Sequence, residues 1–278
     1  MHGTIGKMKH TKPGHHVHHF VISYPVTMRE RVYTLIVGPL LVCLVVYLLV
    51  RLFPTVSGTQ TVTLPVIIEA LVATLLRIGV AYVFAAIIAV PLALLVEVNR
   101  TVESFLLPVF DVFESIPNLA VLPILLVFFM QFSFLDGAAV TILFLNMVWT
   151  IVFALVGGLK VIPQDVTFAA RIFGLHGFSY IRRLILPGIF PQFVTGSILA
   201  VASAWNIIIV AEAIHAYIPN GIPSQDLFGI GTLLVSASAQ GDRTGYAIVF
   251  FAMVATIALF NFFVWQKLLN YAQHFRFD

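Results

Sequence analysis

PQDVTFAARIFGLHGFSYIRRLILPGIFP, from Pro163 to Pro191, is a short polar interruption between two strongly apolar stretches, and its reading decides the fold. Pro163 suits a first helical turn, Gln164 and Asp165 place an acceptor and a negative charge where the free amides of a helix start lie, and Gly174 suits a left-handed stop. A second helix starts at Ser179 and carries Arg182 and Arg183. It should end at or before Pro187, because the residue preceding a proline is pushed out of helical geometry. The segment therefore reads as two short helices about a glycine break, held between membrane spans and exposed for another protein to grip.

The rest of the chain supplies those spans. Of 278 residues, 60% are apolar and only 10% charged, far outside soluble averages, so the chain reads as an all-α integral membrane protein. The single cysteine, Cys43, excludes an intramolecular disulfide and a thiolate zinc site. The polar start, MHGTIGKMKHTKPGHHVHHF, has no apolar core of a cleaved signal peptide. Its His10, His15, His16, His18 and His19 lack an acid or cysteine among them, so residues 1–31 read as a disordered cytosolic tail and no metal site is assigned.

A helix needs about 20 apolar residues to cross about 30 Å of hydrocarbon. Windows read as charge-free then give six spans: Val32–Val50, Ile78–Val96 with an extension ahead of it, roughly Leu106–Met130, Ala138–Gly157, Gly188–Ala211 and Tyr246–Trp265. With the N-terminal side inside, twelve lysines and arginines fall inside and only Arg51, Arg77 and Arg243 outside. Both termini and the Pro163–Pro187 segment are thus expected in the cytoplasm. The basic excess is a topology signal, which removes nucleic acid as a partner.

Within the third window, Pro117 and Pro123 each delete a backbone donor, so the span bends or breaks there and frees carbonyls to line a path. Ser115 and Asn118 beside them are either path-facing or part of a packing kink. Asn146 and Thr150 share one helical face and Ser203 and Asn206 another, and either pair lines the path or bonds a neighbouring helix. Arg77 and Glu212 fall near the same outer face and are read as an ion pair across helices. In FGIGTLLVSASAQGD, Ile230, Leu233, Leu234 and Ala237 recur at helical spacing before Gly241, which predicts an amphipathic helix in the outer loop.

No GxxxxGK(S/T) loop, HExxH helix or GxSxG elbow occurs, so energy has to reach the spans from outside them. The run Ala169, Ala170, Gly174, Leu184, Leu186, Pro187 resembles the EAA signature of importer permeases of the ABC transporter superfamily. That signature is EAA, three residues, Gly, nine residues, Ile, any residue, Leu-Pro; Phe168 stands here where the family has Glu, and Leu184 where it usually has Ile. ATLLR at Ala73 and the SIP-to-LP stretch at Ser115–Pro123 are similar to the nitrate, sulfonate and taurine branch, and the likeness extends over about 65–277.

The resemblance implies a permease domain over 32–278 with a coupling loop between spans four and five, in a prokaryotic cytoplasmic membrane. Phe168, Ala169, Ala170, Arg171, Gly174, Arg182, Leu184, Leu186 and Pro187 would meet a cytosolic ATPase. It further implies a dimer of that ATPase using ATP and magnesium, a second copy or homologue of the permease, and an external substrate-binding protein. The chain itself would hold no cofactor and catalyse nothing. The solute would be a small anion such as nitrate, bicarbonate, a sulfonate or taurine; a self-sufficient secondary anion transporter or channel is the alternative.

Overall fold

The computed structural model describes residues 63–97, 100–217 and 226–275, and everything among them is helix, turn or short connection. The expected first span, Val32–Val50, Cys43 and the histidine-rich tail lie outside the described residues. Among the described residues eight helices and a short 3-10 turn at Ile214–Tyr217 succeed one another: α1 (Leu64–Glu97), α2 (Arg100–Ser115), α3 (Asn118–Met130), α4 (Leu135–Val161), α5 (Gln164–Ile172), α6 (Gly177–Glu212), α7 (Ile230–Ala239) and α8 (Arg243–Phe275). By length and composition α1, α4, α6 and α8 can each cross a membrane, and α2 with α3 make a fifth crossing if the bent pair counts as one. The six expected spans are thus four or five among the described residues.

The core is a small-residue seam. On α1 the buried positions are Ile67, Ala70, Thr74, Ile78, Ala81, Ala85, Ala89, Ala93 and Val96, one stripe at steps of three and four. Small side chains let backbones approach where lipid supplies no hydrophobic drive between helices. α4 lies against this stripe and carries buried residues along its length from Gly137 to Leu159, while α6 packs antiparallel to it. At Gly196 an added methyl would fall 2.5 Å from the Ala154 side chain, and at Gly158 one would fall 2.8 Å from Gln192, so these two glycines set the α4–α6 separation. The opposite face of α1 exposes Leu64, Ile68, Val72, Leu76 and Phe84, and its 34 residues run to about 51 Å at 1.5 Å per residue. That exceeds the hydrocarbon thickness and accounts for the predicted extension ahead of Ile78.

Two sequence expectations need correction. The third window breaks at Ile116-Pro117, as its prolines predict, and turns by 78° between α2 and α3, but it is not free of charge. Ile116 precedes a proline and leaves helical geometry, whereas Pro123 is carried inside α3 without a break. This window also contains Asp111 and Glu114, both exposed on α2. The second correction concerns Pro187, which does not stop its helix. α6 begins at Gly177 and passes through a π-helical turn at Ile181–Ile185, where the Leu186 N–H donates to the Ile181 carbonyl. Widening the hydrogen-bond ring by one residue makes room for the proline, and the helix continues to Glu212. α8 contains a second such turn at Asn261–Trp265, which buries Trp265 against Tyr82 and Phe260.

Candidate functional site

α6 strings together three polar regions, one at each end and one between. At its start, α5 closes in a Schellman motif: Gly174 N–H donates to the Arg171 carbonyl and Leu175 N–H to the Ala170 carbonyl, both at 3.0 Å. Gly174 has φ +75° and Gly177 φ +56°, left-handed values that an L side chain adopts only under strain. Ala170 is buried, and Ile185 is buried within the core of the bundle. The opposite side leaves Phe168 57%, Ile172 84%, Phe173 84% and Phe178 75% exposed. Ala169, Arg171, Arg182, Arg183 and Leu186 are exposed as well, while Leu184 and Pro187 are half-buried.

Midway, a chain of amides and hydroxyls crosses three helices. Asn118 Nδ2 of α3 donates to Asn146 Oδ1 of α4 at 3.0 Å, Asn146 Nδ2 donates to Ser203 Oγ of α6 at 2.6 Å, and Ser203 Oγ donates to the Ala200 carbonyl at 2.8 Å. Thr150 stays on its own helix, donating to the Asn146 carbonyl at 3.2 Å. Ser115 donates back to the Asp111 carbonyl, and exposed Asn206 to the Ala202 carbonyl, so neither joins the chain. Pro117 lies at the 78° break that presents Asn118 to α4, while Pro123 lies further along α3. On the α2 side, Trp149 stacks on Phe113 with centroids 5.4 Å apart and tilts against Phe110 at 5.5 Å.

At the far end of α6 is a buried carboxylate with both oxygens occupied. Glu212, fully buried, accepts from Thr74 Oγ1 at 2.7 Å and Arg77 Nη1 at 2.8 Å on Oε1, and from the Gly231 N–H at 2.7 Å on Oε2. Thr74 Oγ1 in turn accepts the Ile230 N–H at 3.0 Å. The carboxylate thus sits at the first turn of α7, where free amides and the helix dipole favour negative charge. Arg77 also donates Nε to Asp136 Oδ1 at 2.7 Å and Nη1 to the Phe228 carbonyl at 2.9 Å. Its side chain is 11% exposed, against 48% for that of Asp136. This clamp joins α1, α4, α6 and α7. No buried side-chain polar atom among the described residues lacks a partner.

Sequence reading named Arg77 and Glu212 but missed Thr74, Asp136, Gly229 and Gly231. The glycines were the available signal. A methyl at Gly229 would overlap the Glu212 carboxylate, and one at Gly231 would fall 2.6 Å from Ile209 Cα, so FGIG is glycine-rich for close approach. The helix read from Ile230, Leu233, Leu234 and Ala237 is α7, which lies on the bundle with Ile230, Leu234 and Ala237 buried and stops before Gly241 at φ +69°. No group of histidine, cysteine and acidic side chains with metal-binding proximity occurs among the described residues.

Long apolar helices around a small-residue seam, carrying polar groups at both ends and the middle, define a polytopic helical membrane protein. The chain belongs to the family described as "Binding-protein-dependent transport system inner membrane component", whose pattern matches residues 81–270. It is 34% identical over 143 residues to the bicarbonate transport system permease protein CmpB of Synechococcus elongatus, covering 51% of this chain and 50% of that one. It is 31% identical over 160 residues to the nitrate import permease protein NrtB of Leptolyngbya laminosa, covering 58% and 56% respectively. The chain thus spans about half the length of these curated relatives. Its fold is that of a chain from the MetNI methionine ABC transporter in an inward-facing conformation, with TM-score 0.61 at 17% identity over 77% of this chain and 99% of that chain.

Proposed function

We propose that this chain is the membrane permease subunit of an ATP-driven ABC importer that carries a small anion of the nitrate, bicarbonate, sulfonate or taurine type across a prokaryotic cytoplasmic membrane. The likeness to CmpB and NrtB supports that solute class. In this reading residues 32–278 form one six-span domain, with Val32–Val50 as its first span and both termini in the cytoplasm. Two permease units, a second copy or a homologue, enclose the path. An external binding protein delivers the solute, and a separate ATPase dimer hydrolyses ATP with magnesium.

The observation that carries the proposal is the unbroken course of α6 from the exposed glycine-turn module to the Glu212 clamp. At 36 residues it is about 54 Å long. A displacement of Phe168, Ala169, Ala170, Arg171, Gly174, Arg182, Leu184, Leu186 and Pro187 by an ATPase is carried by a stiff rod to Ser203, and so to Asn146 and Asn118. The path then switches between two packed arrangements, with the ATPase state setting which is favoured. Pro123, Thr150 and Asn206 belong to the same helices, Ser115 ends α2 and Pro117 lies at the break beside them, and these would line the remainder of that path.

Purification from native membranes in mild detergent tests this reading. An ATPase subunit should accompany the chain in stoichiometric amount. Gly174→Val, which cannot hold φ +75°, should leave membrane insertion unchanged but uncouple ATP hydrolysis from uptake. Normal uptake by that variant, or transport by the chain alone under an ion gradient, would defeat the proposal.

A further inference from the structure

The module at the start of α6 departs from the motif it resembles at one position, and the departure is chemical: Phe168 replaces a carboxylate. Phe168 and Ile172 lie four apart on one face of α5, Phe173 ends that helix, and Phe178 comes after the two left-handed glycines. All four are exposed, whereas Ala170 and Ile185 close to them in the chain are buried. Together they present on the order of 500 Å² of apolar surface, the upper range of what a monomer leaves uncovered. Around them stand Arg171, Arg182 and Arg183, with Asp165 the single carboxylate in residues 164–183.

A lipid surface is a poor occupant for this arrangement. An interfacial helix segregates its faces and turns the apolar one to the membrane. On α5 the exposed arc mixes Asp165 and Arg171 with Phe168 and Ile172, while Ala170 is buried and Val166 and Thr167 are half-buried on the other side. Aromatic anchors inside an arginine rim are the composition of a protein interface. Resting on the permease reading, we infer that the cognate ATPase receives Phe168 in an apolar pocket, without the basic group that a carboxylate there would call for, and rims that pocket with acidic side chains facing Arg171, Arg182 and Arg183. Contact at the pocket then governs how long the complex lasts, and the charged rim governs how fast it forms.

The test uses the full chain and its own ATPase, co-purified in mild detergent at about 0.1 M and about 1 M salt, between which the screening length falls from about 10 Å to about 3 Å. The wild-type complex should survive at both. Phe168→Leu should retain it, whereas Phe168→Glu should reduce ATPase retention by about tenfold or more at both salts while the variant stays monodisperse. Reversing Arg171, Arg182 and Arg183 together to Glu should slow association several-fold at low salt, with the difference vanishing at high salt. Undiminished or salt-sensitive retention by Phe168→Glu would show a basic pocket and overturn the inference. Protection of a Phe168→Cys label by liposomes without the ATPase, not increased when the ATPase is added, would overturn it in favour of lipid. Wild-type chain that brings no ATPase at either salt would instead defeat the permease reading itself.

Discussion

The two ends of α6 are built on opposite principles. At Glu212 the polar groups find their partners inside the chain: Thr74, Arg77 and the Gly231 amide occupy both carboxylate oxygens, and Asp136 and the Phe228 carbonyl occupy Arg77. At Gly174 only the backbone is satisfied, through the Schellman bonds, while four large apolar side chains face outward. The first end is finished on folding; the second is shaped by folding but left with its apolar side chains uncovered, and in the proposed function a docking ATPase completes it. A stiff helix fixed at one end and open at the other is the arrangement a lever requires.

The largest effect that would test this contrast is Glu212→Lys. It places two cations together in a buried site and leaves Thr74 and the Gly231 amide without an acceptor. Disrupting a buried pair in this way costs about 3–5 kcal/mol, so detergent-solubilised protein should lose most of its folded yield in thermal-shift size exclusion. Adding Arg77→Glu should restore only part, because Lys cannot accept from the Gly231 N–H; complete rescue would mean that the ion pair alone matters. Next, Gly229→Ala pushes a methyl into the Glu212 carboxylate and should destabilise by about 1–3 kcal/mol, read as a fall in melting temperature. Smallest is Asp136→Asn. Its carboxylate is half-exposed, so the expected loss is below about 1 kcal/mol and should disappear on raising salt. A loss from Asp136→Asn as large as that from Glu212→Lys would erase the distinction between the buried core of the clamp and its rim.

How much of this was legible in the sequence varies with the range of the interaction. α1, α4, α6 and α8 were readable because the length and apolarity of a span are local requirements. The left-handed stop at Gly174 was equally local, fixed by an absent Cβ. Prolines were harder, since the same residue breaks the chain at Pro117, is carried inside α3 at Pro123, and is accommodated at Pro187 by a widened turn. Which outcome holds depends on neighbours that no window contains. The polar positions show the same limit. Spacing paired Asn146 with Thr150 and Ser203 with Asn206 along single helices, whereas the hydrogen bonds run from Asn118 to Asn146 to Ser203 across three. Arg77 and Glu212 could be matched by depth and charge, but Thr74 and Asp136 join them only because α1, α4 and α6 converge at that end.

The widened turn at Ile181–Ile185 also acts as a phase setter. A π-turn is in effect one residue inserted into an α-helix, and each residue rotates the remainder of the helix by about 100°. Deleting a single residue there would let the segment relax to ordinary α-helical bonding without breaking it. The Gly177–Tyr180 stub and the α5 module ahead of it would then swing by roughly a quarter-turn about the axis of α6. The module would keep its shape and sequence yet point its aromatic side chains in the wrong compass direction, so a one-residue change in chain length at this site re-aims the whole surface proposed to meet the ATPase.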